Sequence, residues 1–82
     1  MEISPLHSEI KEYLRERRLW KKFQKQIIFL KNDLRHLSLE VELLEPKQMR
    51  IYSFRIDRRY RAIFIFRDQD KIEIIEVNNH YK

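Results

Sequence analysis

The hydrophobic positions change period close to residue 36, which divides the chain into a helical half and a β half. Trp20, Phe23, Ile27, Leu30 and Leu34 recur at alternating steps of three and four. Such steps keep apolar side chains on one face of a 3.6-residue helix. The segment therefore predicts an amphipathic helix whose Trp20 and Phe23 belong to the core, with Lys21, Lys22, Lys25 and Lys31 largely off the stripe. Ahead of it, Ile10, Tyr13 and Leu14 make one apolar edge through about Arg17. Ser4-Pro5 reads as an N-cap followed by proline at the first helical position. Only Arg17-Arg18-Leu19 separates the two helices, short enough for a tight antiparallel hairpin.

Past residue 50 the period falls to two. In the run Ile51 to Asp57, alternation puts Tyr52, Phe54 and Ile56 on one face. Tyr60 to Arg67 and Lys71 to Val77 are rich in β-branched and aromatic residues, as strands are. Asp57-Arg58-Arg59 and Arg67-Asp68-Gln69-Asp70 are short polar connections, so these three strands should be consecutive and antiparallel. A further short strand is expected around Val41 to Glu45, ended by Pro46, which cannot donate to a ladder. The pattern predicts an α+β fold, one domain over residues 1–82, with the helical hairpin on one face of a three- to four-stranded, mainly antiparallel sheet. The other face, bearing Ser53, Arg55, Arg61, Ile63 and Ile65, is left without a helix and is expected to be a binding surface.

Composition narrows the picture. Eighty-two residues allow one modest core. Without cysteine, disulfides and thiolate metal sites are excluded. His7, His36 and His80 lack ligand spacing, so no structural metal is expected and a partner protein becomes the expected source of added stability. The first residues do not read as a signal peptide. The longest apolar runs, Ile27 to Leu30 and Ala62 to Phe66, are too short to span a membrane, so a cytoplasmic protein is expected. A net charge of +5 points to a polyanionic partner.

The motifs Ser53-Phe54-Arg55-Ile56 and Tyr60-Arg61-Ala62-Ile63-Phe64, followed by Glu76-Val77-Asn78-Asn79-His80-Tyr81, resemble the RelE/ParE superfamily. The segment Leu34 to Leu39 resembles the loop after the second helix in many members, so the likeness covers roughly residues 34–81. It implies an N-terminal short strand ahead of the helices. It also implies a toxin of a toxin–antitoxin pair, closest to the YoeB-like mRNA interferases, which cleave messenger RNA, often on the ribosome, by 2′-hydroxyl attack without a metal or other cofactor. The implied partners are a cognate antitoxin, mRNA and the ribosome, and operator DNA through the antitoxin alone. The same scaffold serves ParE-like gyrase inhibitors, and a decayed toxin acting only as a binding module would share it too.

Such cleavage needs a proton acceptor, a donor for the departing oxygen, and cations for the crowded phosphate. Arg61 resembles the arginine that ribonuclease members set against the scissile phosphate. Arg55 shares its face, and guanidinium forks suit phosphate oxygens. His80 and Tyr81 resemble the His-Tyr pair of YoeB-like toxins. A histidine can donate or accept at neutral pH, and the tyrosine could stack on a base or lend its hydroxyl. Glu45, before Pro46, resembles the general-base glutamate, with Glu42 as competitor. Lys47, Arg50, Arg58 and Arg59, with Lys21, Lys22 and Lys25, could guide the RNA backbone.

Overall fold

The computed structural model describes residues 1–79. Strand β1 (Glu2–Ile3) leads to helices α1 (Ser8–Glu16) and α2 (Trp20–Asn32). A 3-10 turn at Leu37–Leu39 precedes β2 (Glu42–Leu43), and a second at Lys47–Met49 precedes β3 (Ile51–Arg55), β4 (Arg61–Asp68) and β5 (Lys71–Asn78). The strands form one sheet in the order β1-β5-β4-β3-β2. β1 runs parallel to β5, and every other pair is antiparallel. This is the α+β arrangement expected from the sequence, with five strands in one sheet: the β1 that the resemblance implies adds a parallel edge to the four antiparallel strands read from the pattern.

The helices pack on the face that alternation assigns to them. The Phe23 ring lies 6.1 Å from that of Phe54, which lies 5.9 Å from Phe64. Leu14, Leu30, Leu39, Phe54, Phe64, Ile72 and Ile74 are fully buried around this contact. Each large apolar side chain taken from water there stabilises the fold by about 1.5–3 kcal/mol. Trp20 is only half-buried, stacking on Phe23 with Arg15 over its outer face. In β5 the register moves from Ile63↔Glu76 to Phe64↔Ile74, which leaves Ile75 as an unpaired bulge residue, 39% exposed. No helix among the described residues is long and apolar enough to cross a membrane.

Two expected helix boundaries move. α1 begins at Ser8 with His7 at the cap position, not at Ser4-Pro5. The reason is that Glu2 and Ser4 donate their N–H groups to the carbonyls of Asp70 and Ile72, so Ser4 is the exit of an edge strand. α2 stops at Asn32, because Asp33 turns extended and its carboxylate accepts the Arg35 N–H in a local turn. Leu34 therefore meets the core from a loop.

Candidate active site

Arg55 and Arg61 face each other across β3 and β4, on the side away from the helices. Arg61 is nevertheless only 4% exposed. Its Nε donates to Ser53 Oγ at 2.9 Å, and its Nη2 donates to the carbonyl oxygens of Glu40 and Ser53. The same Nη2 lies 3.1 Å from Glu42 Oε1. Strand alternation explains the cage. Ser53 stands on the same face as Arg61, and β2 pairs Glu42 with Ser53, which brings a carboxylate over the guanidinium. The expectation of an open face at Arg61 is thus corrected: residues 40–42 cover this end of it. A guanidinium with five donors tolerates burial only where acceptors meet it in this way.

Arg55 is more accessible, its side chain 38% exposed, and it pairs with the Glu40 carboxylate while donating to the Asp57 carbonyl. From below, the buried Gln26 of α2 donates to the carbonyls of Ser38 and Arg55 at 3.0 and 2.7 Å. It ties the helix, the covering segment and the end of β3 together. On the other side of β4, Asn78 is the register partner of Arg61. Its Nδ2 donates to Glu76, while its buried Oδ1 has no partner among the described residues.

The β3–β4 turn is organised by Asp57. Its Oδ1 accepts the N–H groups of Arg59 and Tyr60 at 2.8 and 2.9 Å, and its Oδ2 meets Lys22 Nζ at 3.2 Å. Burial works against this charge, but the two N–H groups and the ammonium outweigh it and hold the carboxyl below the usual aspartate range. Lys22 therefore makes an ion pair at the turn while its side chain stays 60% exposed. At the opposite edge, Glu73 is also held low, first by its hydrogen bond to His7 and then by Arg67.

No family model matches the sequence. An uncharacterized protein of Haemophilus influenzae is 47% identical over 51 residues, which are 61% of this chain and 45% of that relative. The matched stretch thus spans less than half of the relative. Solved structures are more informative. A YoeB/ParE toxin from Agrobacterium tumefaciens superposes with a TM-score of 0.73 at 18% identity, over 99% of this chain and 100% of that one. The heterotetrameric YoeB–YefM toxin–antitoxin complex of Staphylococcus aureus contains a chain matching at 0.69 and 23%, over 98% and 94%. YafQ from E. coli strain BL21(DE3) matches at 0.72 and 12%, over 96% and 90%. The fold is that of the RelE/YoeB-like toxins. At these identities the likeness is one of fold.

Within this RelE/YoeB-like fold the residues singled out from the sequence fall into two groups. Arg55, Arg61, Arg58 and Arg59 gather where β3 turns into β4. Glu45, Lys47 and Arg50 sit exposed beyond the other end of β3, about 13 Å of strand away at the usual rise per residue. Glu45 is thus set apart from the arginines, and the carboxylates beside them are Glu42, on Arg61, and Glu40, on Arg55. His80 and Tyr81 lie outside the described residues. Sequence reasoning put Ser53 on the face of Arg61 without giving it a role, and it missed Glu40, which accepts from Arg61, and Gln26, which anchors the covering segment and the end of β3. Two of these left a signal. Ser53 is a small polar residue between Tyr52 and Phe54, and Gln26 falls three residues after Phe23 and four before Leu30, on the buried stripe.

Proposed function

We propose that this protein is the toxin of a toxin–antitoxin pair and cleaves messenger RNA as an endoribonuclease, on the ribosome. The observation that carries this reading is the facing pair Arg55 and Arg61 with the Glu42 carboxylate 3.1 Å from Arg61. It unites cations for a phosphate with a base for a hydroxyl at one end of the sheet. The solved toxins that share the fold support it.

In this reading a scissile phosphate takes the place of the Glu40 and Glu42 carboxylates on the two guanidiniums. Glu42, released from its ion pair, then accepts the proton of the adjacent 2′-hydroxyl. The 2′-oxygen bonds to phosphorus, the bond to the 5′-oxygen breaks, and that oxygen leaves with a proton from an acid. The products are a 2′,3′-cyclic phosphate and a 5′-hydroxyl. The resemblance assigns the acid role to His80, which follows Asn78 by two residues, and substrate positioning to Tyr81. A cognate antitoxin would silence the protein by covering this end of the sheet.

Single-turnover cleavage on programmed ribosomes tests the assignment. Glu42→Gln should lower the rate by about 10²–10⁴, as removal of a general base does. Glu45→Gln should cost far less. Equal losses, or a loss confined to Glu45→Gln, would return the base role to Glu45. A wild-type protein that leaves RNA intact and inhibits gyrase supercoiling would overturn the ribonuclease reading altogether.

A further inference from the structure

A concavity lies at the same end of the sheet as the arginine pair, on the helix side of the β3–β4 turn. The turn between α1 and α2 and the turn between β3 and β4 enclose a cleft of about 550 Å³, lined by Arg17, Lys22, Asp57, Arg58, Arg59 and Tyr60 among others. We propose that this cleft binds the sugar–phosphate backbone of single-stranded RNA beside the cleavage point. The inference rests on the RNA-cleavage reading and adds a substrate-binding surface to it.

Four of the lining side chains are cationic and one is a carboxylate. That carboxylate, Asp57, is committed inward to two backbone N–H groups and to Lys22, so it organises the wall rather than opposing an anion in the opening. Arg58 is exposed at the rim. Arg17 is held in advance: its guanidinium lies 3.6 Å from the centre of the Tyr13 ring, and its nearest carboxylate, Glu16, is a loose 3.8 Å away. Stacking of this kind fixes a guanidinium plane while leaving its N–H edge available to phosphate oxygens. Tyr60 lines the cleft and is braced edge-on by Tyr13 at 6.3 Å, which holds its ring as a wall for a ribose or base. The β3–β4 turn supplies the direction. Tyr60 and Arg61 point to opposite faces of the sheet, but Arg58 and Arg59 stand in the turn that joins the strands of Arg55 and Arg61. An RNA strand leaving the arginine pair therefore passes around this end of the sheet, over the turn, into the cleft on its helix side.

The test uses the full chain and a fluorescent single-stranded RNA oligonucleotide carrying 2′-O-methyl groups, which can bind but cannot be cleaved. Anisotropy titrations across a salt series should show that Arg17→Gln combined with Arg58→Gln weakens binding about tenfold. The slope of log K against log salt should fall by roughly 0.7 for each phosphate that is no longer neutralised. Lys11→Gln, which removes an exposed charge from α1 away from the cleft, serves as the comparison. A double variant no weaker than Lys11→Gln, with an unchanged slope, would overturn the proposal. So would a polyglutamate competitor that displaces the RNA as well as unlabelled RNA does, since the cleft would then be a site for acidic protein. The two readings fail separately. Cleft-dependent binding by a protein that never cleaves unmodified RNA would remove the ribonuclease and keep the cleft. Wild-type cleavage and binding in the double variant would do the reverse.

Discussion

Phe64 and Arg61 stand three residues apart in β4 and are both buried, on opposite faces and for different reasons. Phe64 is buried by area: the rings of Tyr52, Phe54 and Phe66 surround it, and any apolar surface of the right shape would serve. Arg61 is buried by valence. Its place depends on one hydroxyl, two carbonyls and one carboxylate being where its N–H groups point. The difference teaches that one sheet can hold a face specified by hydrophobicity and another specified by hydrogen-bond geometry. Only the first tolerates repacking.

The largest expected effect breaks the apolar face. Phe64→Ala should cost about 3–5 kcal/mol of unfolding free energy, the range for truncating a buried phenylalanine. Ile63→Ala, on the neighbouring half-buried position of the other face, should cost much less. Urea unfolding of the two variants decides it. Equal costs would mean that both faces are packed cores, and the contrast between them would fail.

A smaller effect sharpens the polar face. Arg61→Met keeps much of the side-chain bulk but removes every donor, leaving Ser53 Oγ and the Glu40 carbonyl without their arginine partner. The expected loss is about 1–3 kcal/mol, the cost of stranding buried polar groups. Replacing buried ions by apolar groups is sometimes neutral, so unchanged stability is the result that would show the cage to be dispensable for folding. Either outcome bears on function, because a cleavage assay of an Arg61 variant is interpretable only at a temperature where the variant remains folded.

The same contrast explains what could be read in the sequence. The helical stripe of Phe23 and Leu30 and the alternation of Phe54 and Ile56 obey periodicities that survive in a single line of text, so the helix-covered face was predictable. Arg61 and Arg55 were predictable as a pair on the other face for the same reason. Their covering was not, because residues 39–45 have no period, and the pairing of Glu42 with Ser53 depends on a hairpin between them. That hairpin and two other reversals use left-handed backbone at Arg50, Glu40 and Arg18, in a chain without glycine to mark them. The start of α1 was misplaced because Ser4-Pro5 suits a helix cap and a strand exit equally well. A parallel bond to a strand distant in sequence chose between them.

The smallest expected effect lies between the two regions, at Asp57, where the turn joins the apolar core to the arginine end. Folding holds this carboxyl below its ordinary range, so at low pH the folded state binds fewer protons than the unfolded chain. The contribution is therefore complete above the unfolded aspartate value of about 3.9 and is lost as pH falls through the lower folded value. Glu73 acts with the same sign at the opposite edge and supplies a background that a change at Asp57 leaves intact. Asp57→Asn retains an oxygen for the Arg59 and Tyr60 N–H groups but discards the charge facing Lys22. Wild type should accordingly lose more stability than Asp57→Asn between roughly pH 6 and pH 3, measured by urea unfolding at each pH. The gap should narrow but not close when Lys22 is also replaced by methionine, since the Arg59 and Tyr60 N–H groups, the larger of the lowering causes, still favour the ionised carboxyl. Parallel acid profiles for wild type and Asp57→Asn would mean that the ionised carboxylate adds nothing over a neutral amide oxygen at this turn, and that the link between α2 and the arginine end is geometric rather than electrostatic.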